Sequence, residues 1–233
     1  MKARPFIAAT LVVVINAGAT LISPPPAKAF SHLFFWHQAS AGPSTNSQNR
    51  AGGGGIYGTG GPFEFGIRCA DCHIQAEGLV TLDVSVSPPF QMVGNDEAYL
   101  PNTAYDFTVT MLGEHKFPPN VACNTNIFAA TFEDAGGNIM GALQSDSPNN
   151  SSANCPANAP STKPSGSTFV YGDCHGILGI DKNIDQWTFR WTSPGPGAGD
   201  VTMWYGAVDG DRCSESSLGD DVVQGSRFLV EGS

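Results

Sequence analysis

The chain has 233 residues, with 21 acidic side chains against 11 basic ones and a formal net charge of −10. An acidic surface of this kind argues against nucleic acid as a partner, and the length suits one sizeable core better than two. No stretch beyond the amino-terminal one is long and apolar enough to cross a bilayer.

At the amino terminus, Lys2 and Arg4 precede an apolar run from Phe6 to Ile22, a proline break and the small-residue sequence Ala27-Lys28-Ala29. This order reads as a secretory signal peptide over residues 1–29, cleaved after Ala29. Removing Lys2, Arg4 and Lys28 with it leaves eight basic residues against 21 acidic ones, a net charge of −13. The folded part is then expected outside the cytoplasm, secreted or periplasmic or at the cell surface, where disulfides persist.

Residues 30–62 divide in two. Ser31-His32-Leu33-Phe34-Phe35-Trp36-His37 is apolar and aromatic, and a polar, glycine-dense linker follows from Ser40 to Pro62. An aromatic head on such a tether must bury itself in its own domain or in a neighbouring subunit, which opens a route to self-association. The remaining residues, 63–233, are expected to form one domain.

That domain opens with Cys69-Ala70-Asp71-Cys72-His73. Two cysteines separated by two residues and followed directly by histidine are the attachment signature of c-type haem, with Cys69 and Cys72 as thioether donors and His73 as proximal iron ligand. Thioredoxin-like chemistry at the same cysteines would need a strand-helix-strand context that the flanks do not offer. The other four cysteines, Cys123, Cys155, Cys174 and Cys213, suit two disulfides with three connectivities. Cys155 with Cys174 and Cys123 with Cys213 is the pairing favoured here. The competing reading is a zinc site built on Cys174-His175.

From Leu79 the pattern is that of strands. Val80, Leu82, Val84 and Val86 share a face until Pro88-Pro89; Tyr105, Phe107, Val109 and Met111 share a face of the next strand. Ile127 to Phe132, a turn at Ala135-Gly136-Gly137-Asn138 and a short strand from Ile139 to Leu143 follow. Asp185 to Trp191 places Trp187, Phe189 and Trp191 together, Val201 to Val208 alternates, and Val222 to Val230 is last. Seven or eight strands with turns between them predict a two-sheet antiparallel sandwich. The interval from Gln144 to Thr168, rich in Pro, Ser and Asn, is expected to be a long inserted surface loop.

Through Cys69-Ala70-Asp71-Cys72-His73 the chain resembles the c-type cytochromes, although the alternating strand from Leu79 replaces the helices of the small members of that group. Tyr99-Leu100-Pro101-Asn102-Thr103-Ala104-Tyr105, Phe128-Ala129-Ala130-Thr131-Phe132, Gly141-Ala142-Leu143 and Trp191 to Ala207 resemble the reelin amino-terminal (reeler) type of domain. That resemblance implies an immunoglobulin-like sandwich and brings no catalytic residues with it. The expected fold is therefore all-β: an immunoglobulin-like two-sheet antiparallel sandwich with a haem-bearing amino-terminal segment and a long inserted loop.

The sixth iron ligand would decide what one covalent haem c does. His115 is the first candidate. It follows the strand ending near Leu112 and would share one end of the sandwich with His73 if that strand pairs antiparallel with the one starting near Leu79. His32 and His37 on the tethered head, and His175, are alternatives. Met111 and Met203 are in phase with core positions, while Met92 and Met140 lie nearer turns. A vacant sixth position completes the choices.

Asp209, Asp211, Glu215, Asp220 and Asp221 do not match a calcium loop and are expected to be a solvated acidic surface. Asn150-Ser151-Ser152 fits a glycosylation sequon without bearing on function. Three function classes follow. The first is a non-enzymatic electron carrier serving redox partner proteins; the others are a haem-based ligand sensor and a surface or filament module carrying a haem.

Overall fold

The computed structural model describes residues 58–71, 73–75, 80–113, 125–145, 168–171, 176–182, 184–210 and 218–233. Its strands, in chain order, are β1 (Ile74–Gln75), β2 (Thr81–Ser87), β3 (Gln91–Val93), β4 (Asp96–Tyr99), β5 (Ala104–Leu112) and β6 (Thr125–Glu133). They continue with β7 (Ala142–Ser145), β8 (Thr168–Tyr171), β9 (Gly176–Lys182), β10 (Gln186–Thr192), β11 (Val201–Gly210) and β12 (Leu218–Glu231). The strands form an immunoglobulin-like sandwich of two sheets. One runs β3-β4-β12-β11-β6-β9-β8, with β1 pairing on β12, and the other runs β2-β5-β10-β7. Pairing is antiparallel except where β12 meets β4 and where β1 meets β12, which are parallel.

Alternation writes the inner faces. β5 buries Tyr105, Phe107, Val109 and Met111 and exposes the residues between, and β10 buries Trp187, Phe189 and Trp191 in the same way. The β5–β10 register sets Phe189 opposite Phe107 and Trp191 opposite Tyr105. Within that sheet Phe107 lies parallel to Phe189 at 4.9 Å, and across the interface Phe132 of β6 stacks on Trp191 at 4.5 Å between centroids. This aromatic column is the main core, shared by both sheets. Gly179 on β9 is required by it, because a Cβ there would stand 2.3 Å from Trp187 Cδ1.

The sequence reading finds the long strands and misses the short ones. β3, β4, β8 and β9 were not expected, and the described residues hold twelve strands rather than seven or eight. β7 takes in Gln144 and Ser145 and β8 takes in Thr168, so both ends of the interval expected to be an inserted loop are strand, and residues 146–167 lie outside the described residues. The linker also ends earlier than its composition predicts. Gly58 and Thr59 are buried, and Thr59 bridges Arg68, so the packed body includes Gly58 instead of opening at Phe63. No helix among the described residues is long and apolar enough to cross a membrane. The signal segment, the aromatic head and most of the linker lie outside the described residues.

Two measurements test this packing. Trp191 is fully buried, so Trp191→Ala should lower unfolding free energy by about 3–5 kcal/mol in denaturant titration. The second concerns Glu97, whose hydrogen bond and ion pair with Arg227 hold its carboxyl below the ordinary glutamate range. A depressed folded-state value stabilises above that range and is lost as pH falls through it. Glu97→Gln should therefore flatten the acid side of the melting-temperature profile while leaving its slope above neutrality unchanged.

Candidate functional site

The eight-stranded sheet has an outer face that the other sheet does not cover. On it Ile127, Ala129, Leu178, Val208 and Val222 form an apolar patch, and Phe63 and Cys69 of the amino-terminal segment pack on it as a second core. The motif is thus held by hydrophobic burial on the outside of the sandwich.

A tight loop delivers it. Thr59 and Arg68 bridge antiparallel, the Gly60 amide donates to the Ile67 carbonyl at 2.8 Å, and the Cys69 amide donates to the Gly58 carbonyl at 2.8 Å. Inside the loop the buried Glu64 carboxylate accepts from the amides of Gly58 (3.1 Å) and Thr59 (2.7 Å) and from the Thr59 hydroxyl (2.8 Å). Glu133 on β6 fastens the loop to the sheet, accepting from the Phe63 amide at 2.8 Å and from the Thr131 hydroxyl at 2.5 Å. These buried carboxylates convert loop amides that would otherwise lose water into bonded ones.

Cys69 begins a 3-10 turn over Cys69–Asp71. Asp71 closes the turn by accepting from the Arg68 amide at 2.8 Å. The His73 amide then donates to the Cys69 carbonyl at 2.9 Å, which sets these two residues one helical turn apart on the same side. Cys69 is 9% exposed, and its sulfur lies against two glycines. A Cβ on Gly206 of β11 would stand 2.9 Å from Sγ, and one on Gly58 3.1 Å. Only a residue without a side chain leaves that space.

His73 Nδ1 donates to Asp220 Oδ2 at 2.6 Å, with the histidine side chain 16% exposed and the aspartate side chain 5%. Donation from Nδ1 leaves Nε2 as the nitrogen able to bind a metal. Asp220 lies on β12, and its neighbour Asp221 points to the other face, where Oδ2 accepts from the Val80 amide at 2.9 Å just before β2. β1 pairs with the start of β12, Ile74 opposite Leu218. The last long strand therefore grips the segment after the motif at three points.

Of the acidic residues expected on a solvated surface, Asp211 and Glu215 lie outside the described residues and the other three are not solvated. Asp209, Asp220 and Asp221 are all buried, because Asp220 serves His73, Asp221 serves Val80, and Asp209 sits opposite Asp221 on the inner face. Among the described residues no group of three or more His, Cys, Asp or Glu is arranged to hold a metal ion.

The pairing on which His115 depends is present: β2 and β5 are antiparallel, with Thr81 opposite Leu112. His115 itself lies outside the described residues, as do His32, His37, His175, Cys72, Cys123, Cys155, Cys174 and Cys213. The methionines are placed. Met111 and Met203 belong to the core, as their phase predicts. Met92 is level with Leu229, nine strand positions from Asp220 and so ~30 Å along β12. Met140 pairs with Phe132, which is level with Arg227, seven positions from Asp220 or ~23 Å. Neither turn methionine is at the His73 end.

No family model matches the chain, and no curated protein matches it. Solved structures similar to it include the human F-spondin reeler domain, at 14% identity over 69% of this chain and 95% of that one, with a TM-score of 0.39. A second F-spondin structure, its Reelin-N domain, gives 15% identity over 70% and 95% at a TM-score of 0.39. A conjugative transposon lipoprotein from Bacteroides eggerthii gives 11% identity over 63% and 95% at 0.29. Similarity at this level bears on neither activity nor partners.

Asp220, Glu64 and Glu133 are the residues sequence reasoning missed. Starting the final strand at Val222 left Asp220 outside it, and nothing local marks either glutamate as buried. The glycine contact supplies a test: Gly206→Ala should destabilise the protein by about 1–3 kcal/mol through overpacking against Cys69, measured by thermal or denaturant unfolding.

Proposed function

We propose that the chain is an extracytoplasmic monohaem c-type cytochrome that carries single electrons between redox partner proteins. The observation that supports this most is the state of His73. It follows Cys69 by one helical turn, its Nδ1 is committed to Asp220, and Nε2 is left as the ligand nitrogen. A proximal histidine needs that arrangement, and a histidine placed only for packing does not.

The turn from Cys69 to His73 and the His73–Asp220 bond support a covalently held haem. When bound, haem supplies a one-electron iron couple. Cys69 and Cys72 would hold it as thioether donors, each thiol adding its sulfur to one carbon of a vinyl group and its hydrogen to the other, with no net change of electrons. His73 would ligate the iron, its ring held by Asp220. The loop around Glu64 and the seat on Gly206 keep Cys69 where burial has put it. One electron enters from a donor protein and leaves to an acceptor protein, and no atoms are transferred. The net charge of −13 left after removal of residues 1–29, eight basic against 21 acidic side chains, favours basic faces on those proteins. The signal segment over residues 1–29 carries the export part of the proposal, and His115 remains the first candidate for the sixth position.

The full chain should be produced with its leader beside a haem-maturation system. The expected product carries one covalent haem that survives denaturing electrophoresis, and its ferrous spectrum is unmoved by carbon monoxide. Cys69→Ala with Cys72→Ala should remove the covalent haem entirely. A wild type without covalent haem, or a double variant that keeps it, overturns the proposal.

A further inference from the structure

Asp220 does more than fill space beside the motif. Its carboxylate is almost wholly buried, belongs to the first of two consecutive aspartates near the start of β12, and meets His73 Nδ1 at 2.6 Å. From this geometry we infer that Asp220 is a positioning residue which fixes the Nδ1–H form of His73, makes Nε2 the stronger electron donor, and so sets a low reduction potential for the iron bound there.

The reasoning is electrostatic. A carboxylate accepting the Nδ1 proton places negative charge against the ring and increases electron donation from the opposite nitrogen. Such donation stabilises ferric iron over ferrous iron and pulls the one-electron potential down. A neutral acceptor would orient the ring equally well and donate less. The carboxylate is also sheltered from solvent, where its field is screened little.

The strand makes the interaction firm. Asp220 is held by β12, which is paired with β11 through Asp221 opposite Asp209 and with β1 through Asp220 opposite Gln75. Asp221, facing the other way, ties the same strand to the Val80 amide. His73 therefore cannot turn its ring without breaking a bond to a fixed element.

The inference rests on the cytochrome reading, and two experiments separate the two. In the full-length apoprotein at alkaline pH, long-range 15N–1H NMR of the imidazole should show the proton of His73 on Nδ1, although free imidazole side chains favour Nε2. A proton on Nε2 overturns the inference whatever happens to haem. In the holoprotein, Asp220→Asn should keep covalent haem and shift the ferric–ferrous equilibrium at least tenfold towards ferrous iron, which is about 59 mV for one electron. Asp220→Glu, which retains the charge, should lie closer to wild type than Asp220→Asn. An unchanged potential in Asp220→Asn with covalent haem in place refutes the inference and leaves the cytochrome reading standing. A wild type that takes no covalent haem removes that reading, while the NMR result still decides the histidine–aspartate pair. If Asp220→Asn does not fold, the NMR measurement on the wild-type chain carries the test alone.

Discussion

A wide sheet has two faces to bury, and here the partner sheet is four strands wide and covers one of them. The uncovered face is apolar at one end, where Ile127, Ala129, Leu178, Val208 and Val222 meet. Leaving such a patch in water is costly, and the chain covers it with the segment that carries Cys69 and His73. The position of the motif is thus a consequence of sheet width. Everything polar around it, from the loop amides to the buried carboxylates, is arranged so that this covering segment can lose its water without losing its hydrogen bonds.

The arrangement gives β12 an unusual share of the structure. It pairs with β11 along most of its length, takes β4 in parallel near its end and β1 in parallel at its start. Its side chains reach both faces, so that consecutive aspartates hold a histidine outside the sandwich and a backbone amide inside it. Near its far end Glu231 accepts from the amides of Gly197 and Gly199, which holds its carboxyl below the usual glutamate range. One strand thereby joins the motif, the second sheet and the loop before β11.

The parts of this fold legible in the sequence are those with a period. Tyr105 to Met111 and Trp187 to Trp191 alternate so regularly that their faces, their pairing and the aromatic column follow from residue identity. β3 and β4 do not show because three and four residues offer no period, and β4 mixes Asp96 and Glu97 with the buried Ala98 and Tyr99. The motif residues were equally plain, since C-x-x-C-H is a local pattern. Their surroundings were not. Asp220 looked like a solvent acid because charge is normally exposed, and only a partner 147 residues away makes it an interior group. Thr59 and Glu64 were hidden by the glycine-dense composition of the stretch before them, which reads as linker while its last residues pack.

That distance of 147 residues also fixes an order of events. Synthesis runs from the amino terminus, so Cys69, Cys72 and His73 emerge long before the strand that will hold them. Until β12 arrives, the outer patch has no Val222, the ring has no carboxylate and the loop has no Gln224 to meet the Gly58 carbonyl. Contacts of such long sequence separation form late and slowly. The motif is therefore left uncovered until β12 pairs, and the burial of Cys69 and His73 waits on a strand far along the chain.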